Sequence, residues 1–128
     1  MAVSQSFIDY AKDLFGPFGE IVVRRMFGAA GVYCDSLFFA VLDEDVVYLK
    51  ADDENRAEFE RAGALPFTFE SKENARVSMS YYAAPADFYD DPDEARRWTL
   101  LALDSARRAA KVKRKRRKPP GRSKRASP

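Results

Sequence analysis

The chain has 128 residues, 46 % of them apolar, and a formal net charge of +2, with one cysteine and no histidine. A lone Cys34 excludes an internal disulfide, and the absence of histidine removes the commonest general base and the commonest transition-metal ligand. No apolar run approaches the roughly 20 residues of a membrane span, and the start MAVSQSFIDY lacks the pattern of a secretory leader, so a soluble cytoplasmic protein is expected.

Ser6–Phe15 carries Phe7, Ile8, Ala11, Leu14 and Phe15 at helical spacing, and Gly16-Pro17 ends that helix. IVVRRMF (21–27) reads as a strand. Gly28 and Gly31 bracket Ala29 and Ala30 in a bend or bulge, after which Val32 and Tyr33 resume extended structure. After a turn at 34–36, LFFAVL (37–42) and VVYLK (46–50) form an antiparallel hairpin through the acidic turn Asp43–Asp45. Asp52 is placed to cap a second helix that runs to Ala62, with Gly63 at its end. FTFES (67–71) and RVSMSYY (76–82) are two further strands, joined by a turn at 72–75, and a loop follows over 83–90. Asp91-Pro92-Asp93-Glu94 then opens a long last helix whose buried stripe is Ala95, Trp98, Ala102, Ser105, Ala106 and Ala109. Hairpins without strand–helix alternation imply an α+β domain in the order α-β(3)-α-β(2)-α, with an antiparallel sheet covered by helices on one face.

Charge is sorted along this chain. Residues 1–110 hold all twenty acidic residues and twelve Lys or Arg, a net −8, whereas 111–128 hold ten Lys or Arg and no acid. Two parts are therefore expected: one folded domain over 1–110 and a basic, disordered tail over 111–128. Nothing before Pro119 stops the last helix, so the run Lys111–Lys118 can begin as its solvent-exposed extension. Such a block attracts polyanions, and the candidate nucleic-acid contacts are Lys111, Lys113, Arg114, Lys115, Arg116, Arg117, Lys118, Arg122, Lys124 and Arg125.

In the body, the Gly28–Gly31 bend with Arg24 and Arg25 could cradle an anion in a small ligand-binding protein or enzyme, although its spacing is not that of a phosphate loop. The acidic clusters Asp43–Asp45, Asp52–Glu54 and Asp90–Glu94 fall where turns and helix starts favour acid, so metal binding is not inferred. Cys34 has no histidine to activate it and reads as a small buried or half-buried thiol beside a turn. Tyr33, Tyr48, Tyr81 and Tyr82 sit at strand positions. Bases could stack on them, but with few nearby cations (Arg24, Arg25, Lys50 and Arg76) core packing is the expectation.

Arg25-Met26-Phe27-Gly28 with Gly31-Val32-Tyr33, then LFFAVL, Leu49-Lys50-Ala51-Asp52, PFTFE (66–70), VSMSYY (77–82) and the capped helix containing Trp98 occur in that order over about residues 10 to 109. This set resembles the TfoX N-terminal domain family. Ala29 departs from it where members often carry a second glycine, and the basic tail stands where competence regulators of this type add a helical domain. The resemblance implies a secretion-chaperone-like fold and a role in regulating DNA-uptake genes. The family offers no established catalytic residue to carry over. A non-enzymatic regulatory or protein-interaction domain is expected, with no cofactor or metal, and with nucleic acid, a protein or a second copy of the chain as partner.

Overall fold

A computed structural model of the protein describes residues 3–26, 28–70 and 75–117. Ser4 opens the first helix, α1 (Gln5–Phe15), by accepting the Phe7 amide on its Oγ at 3.1 Å, which satisfies one of the orphan donors of the first turn. Gly16–Phe18 continue as a 3-10 turn. Four strands follow: β1 (Ile21–Met26), β2 (Ala29–Cys34), β3 (Leu37–Asp43) and β4 (Val46–Lys50). After α2 (Arg56–Arg61) come β5 (Pro66–Glu70), β6 (Ala75–Ala83), a 3-10 turn at Ala86–Tyr89, and α3 (Pro92–Arg117). The six strands form one antiparallel sheet in the order β1-β2-β3-β4-β6-β5.

The α+β class and the antiparallel sheet agree with the sequence. The strand count before α2 does not: there are four strands, giving α-β(4)-α-β(2)-α, where the spacing suggested three. The stretch read as one strand with a bend is a tight hairpin, because Met26 pairs directly with Ala29 and the chain reverses between them. Gly28 sits there at φ +84°, a conformation that costs glycine little. Gly31 is not part of the turn. It lies inside β2 opposite Arg24, where a Cβ would come within 2.8 Å of Met26 Cε and 2.9 Å of Phe38 Cε1. Packing, not backbone freedom, requires glycine at that position.

Alternation along the strands separates two faces. Ala30, Val32 and Cys34 of β2, Ala40 and Leu42 of β3, Val47 and Leu49 of β4, and Tyr82 of β6 are buried and register with one another across the sheet. Helices cover this face. From α1, Phe15 sets its ring edge-on to Phe39 at 4.8 Å, and Ile8 and Ala11 are buried beside it. Through a bulge opposite Val32-Tyr33, β3 places Phe39 on this side. From α3, the stripe Ala95, Trp98, Ala102 and Ala106 closes the core, with Phe59 of α2 4.8 Å from the Trp98 ring.

The start of α3 matches its sequence signal. Asp91 Oδ1 accepts the Asp93 amide at 2.9 Å, and Pro92 is the first helical residue. The start of α2 does not: the helix begins at Arg56, with Asn55 at the cap position. Asp52 lies four residues before it, where its carboxylate accepts the Glu54 amide at 3.1 Å and pairs with Arg108 from α3. Past residue 110, α3 continues without interruption to Arg117, through residues that are good helix formers and include no glycine or proline. The first seven residues of the basic segment are therefore helical, and residues 118–128, including Lys118, Arg122, Lys124 and Arg125, lie outside the described residues.

Candidate nucleic-acid interface

The last fully buried residue of α3 is Ala106, so residues 107–117 carry the helix about 16 Å onward at 1.5 Å per residue. One tether holds the base of this extension. Arg108 Nε donates to Asp52 Oδ2 at 2.6 Å and its NH2 to Asp52 Oδ1 at 2.9 Å, a two-pronged pair joining α3 to the segment that follows β4. Glu54 lies 3.5 Å from the same guanidinium. These hydrogen bonds hold the Asp52 carboxyl below the usual aspartate range, against the opposing effect of its partial burial.

A carboxylate with a depressed folded-state pKa contributes stability above its unfolded pKa and loses it as pH falls through the folded value. With side chains 34 % and 29 % exposed, the pair should be worth about 1 kcal/mol at neutral pH. Arg108→Ala should therefore lower the urea midpoint at pH 7. The gap between variant and wild type should shrink once pH drops below about 4. A gap that persists unchanged at pH 2 would show that Arg108 stabilises by packing alone.

Beyond the tether, Lys111, Lys113, Arg114 and Lys115 are exposed, and no ion pair among the described residues involves them. Lys113 borders two adjoining clefts. The larger, about 710 Å³, lies between α3 and the end of β4, with Lys50, Asp52, Ser80 and Arg108 in its walls. The smaller, about 340 Å³, joins Lys113 and Ala109 to Tyr33, Phe38 and Lys50. The basic end of α3 thus opens onto the sheet.

The second face of the sheet carries no helix among the described residues. On it lie Val22, Arg24 and Met26 of β1, Gly31 and Tyr33 of β2, Phe38 and Val41 of β3, Tyr48 and Lys50 of β4, and Tyr81 of β6. Tyr33 and Phe38 stack with centroids 4.9 Å apart, and Tyr81 follows at 5.7 Å from Phe38. Cations stand at both ends of this row: the Arg24 guanidinium 5.8 Å from the Tyr33 centroid and Lys50 Nζ 4.9 Å from that of Tyr81. Burial lowers the Lys50 pKa, which Asp52 partly offsets, and burial raises that of Tyr81.

Of the four strand tyrosines expected in the core, only Tyr82 is there, at 1 % exposure, with its hydroxyl donating to Glu60 at 3.1 Å. Tyr33, Tyr48 and Tyr81 are half-buried on the uncovered face. Adjacency was the available signal, since Tyr81 and Tyr82 must point to opposite sides of a strand.

Arg24 and Arg25 part for the same reason. Arg24 lies over Tyr33, while Arg25 NH1 donates to the Val3 carbonyl at 2.7 Å on the helix-covered side. The two guanidinium groups do not converge on an anion, and the Gly28–Gly31 stretch has no loop to cradle one. Cys34 is buried, with Sγ 3.5 Å from the Phe18 carbonyl oxygen, and its pKa is raised by burial and then by Asp35. Among the described residues, no three acidic or thiol side chains gather in a group that could hold a metal ion.

A family model described as the TfoX N-terminal domain matches residues 13–106. The chain belongs to that family. None of the curated proteins compared with the chain matches it. The matched span of this TfoX N-terminal domain runs from α1 to the last fully buried residue of α3. It includes the aromatic row, Lys50 and Asp52, and it stops before Arg108 and the cations of the extension. No helix among the described residues is long and apolar enough to cross a membrane.

Proposed function

We propose that this protein is a non-enzymatic regulatory module of the TfoX N-terminal type, which engages the phosphate backbone of nucleic acid through the cationic end of α3 and the residues after it. Regulation of DNA-uptake genes in the cytoplasm is the role the family suggests, with a protein partner or a second copy bound by the folded body. One observation carries the nucleic-acid part. The cations Lys111, Lys113, Arg114 and Lys115 project from the folded body on a helix and form no ion pair among the described residues, in a protein whose body is net negative. Aligned cations of this kind neutralise phosphates and release counterions, a sequence-independent attraction.

Fluorescence anisotropy with a labelled duplex at several salt concentrations tests this. If about five to eight of the ten cations engage, log K should fall against log salt with a slope of about −5 to −7. Deleting residues 111–128 should abolish binding, whereas Arg24→Ala with Arg25→Ala should change it little. The deletion removes nothing from the core stripe, which ends at Ala106, so the truncated protein should stay folded. Duplex binding that survives the deletion, or that depends on base sequence, would remove this reading.

A further inference from the structure

We infer that the uncovered face of the sheet is a stacking platform for single-stranded nucleic acid, with bases laid on Tyr33, Phe38 and Tyr81 and the backbone led past Lys50 and Lys113 onto α3. This inference rests on the proposed attraction of the α3 extension for phosphate and narrows the ligand from polyanions in general to unpaired strands.

Three features of the face support it together. The rings form a row across β2, β3 and β6 with successive centroids 4.9 and 5.7 Å apart, on a side that no described helix covers. Tyr33 and Phe38 already stack on each other, so a base reaches the outer face of the row by displacing Arg24 or Lys50 from the ring beneath it. The row is bounded by positive charge, since Arg24 lies over its first ring and Lys50 over its last. A guanidinium plane that stacks on tyrosine can also stack on a base, so Arg24 can cover or extend the row. Finally, the 340 Å³ cleft that holds Tyr33, Phe38 and Lys50 also contains Lys113. A strand with bases on the rings would have its phosphates beside Lys50 and Lys113, at the root of the cationic helix.

A protein partner on the same face is less well matched. Among the described residues Val22 is the exposed large apolar side chain there, at the edge strand, and two of the rings, Tyr33 and Tyr81, carry cations over them. The bases of a duplex are already stacked on each other and cannot reach a flat sheet, so the platform separates single strands from duplexes.

Anisotropy with a labelled oligothymidylate of about 15 nucleotides, alongside a duplex of equal length, reads the difference. Tyr33→Leu and Tyr81→Leu should each weaken oligothymidylate binding about tenfold, in the range of one lost base–ring contact, and leave duplex binding and the melting temperature unchanged. Wild-type affinity of both variants for the oligonucleotide would overturn the platform. It would leave the α3 reading intact, because that reading fails on other results, duplex binding that outlives deletion of 111–128 or that depends on base sequence.

Should either variant unfold, photo-crosslinking of the wild-type protein to an oligonucleotide bearing 5-iodouracil replaces it. Residues 111–128 contain no aromatic side chain. Crosslinks mapped to Tyr33, Phe38 or Tyr81 would support the platform, and crosslinks confined to 111–128 would overturn it.

Discussion

Trp98→Ala should destabilise the protein by about 3–5 kcal/mol, the usual cost of emptying a large buried aromatic site. Trp98 is 2 % exposed and lies at the junction of three elements. Its ring meets Phe59 of α2 at 4.8 Å, Phe59 in turn stacks on Tyr82 of β6 at 5.6 Å, and the Arg97 guanidinium covers its outer side at 4.4 Å. The indole N–H is satisfied within the helix by Glu94 Oε1 at 3.2 Å. Removing the ring would leave a cavity between α3 and α2. Against a typical total of about 5–15 kcal/mol, the loss should bring the urea midpoint, followed by far-ultraviolet circular dichroism, close to zero denaturant. Trp98→Phe should recover part of it. A loss below about 1 kcal/mol would mean that α3 does not close the core.

Asn55→Leu should cost about 2–4 kcal/mol, from three hydrogen bonds broken in a nearly dry site. Asn55 is 3 % exposed. Its Nδ2 donates to the Leu101 carbonyl at 2.9 Å and to Ser105 Oγ at 2.6 Å, and its Oδ1 accepts the Asp52 amide at 2.9 Å. This one side chain therefore closes the turn before α2 and ties it to α3. Leucine has the same branching but is bulkier, and it would strand the Asp52 amide and the Ser105 hydroxyl away from water. The substitution Asn55→Asp sharpens the test. A carboxylate facing the Leu101 carbonyl is disfavoured when charged, so its folded-state pKa should be raised. The penalty should then be smallest below the unfolded pKa of about 4 and grow as pH rises past it. Equal stability of Asn55→Leu and wild type would place the network outside the folding energetics.

The elements carried by local signals stand where the sequence puts them. The stripe of α1, the hairpin of β3 and β4, the strands β5 and β6, and the Asp91-Pro92 start of α3 each depend on neighbours a few residues apart. The β1–β2 hairpin is not legible locally, because two glycines three positions apart read as one bend. Only pairing across the sheet, with Gly31 opposite Arg24 on one side and Val41 on the other, reveals that the second glycine belongs to a strand. For α2, Asp52 has the composition of a cap, but it stands four residues before the helix, where its carboxylate accepts the Glu54 amide and also pairs with Arg108, 56 residues away.

The candidate interface divides along the same line. Segregation of charge, with a net −8 body and ten cations after residue 110, is a property of composition that no fold could change, and it alone named polyanions as a partner class. That α3 carries the first of those cations on a rigid extension also follows from local propensity, since nothing in 107–117 breaks a helix. Which face of the sheet stays uncovered, and which rings line it, was decided by tertiary structure. Tyr33 and Phe38 are five residues apart in one hairpin, but Tyr81 is far from both in sequence and joins them only through the pairing of β4 with β6. Alternation requires Tyr81 and Tyr82 to part, but only the docking of α1 and α3 on one side determines which of them is core and which is surface.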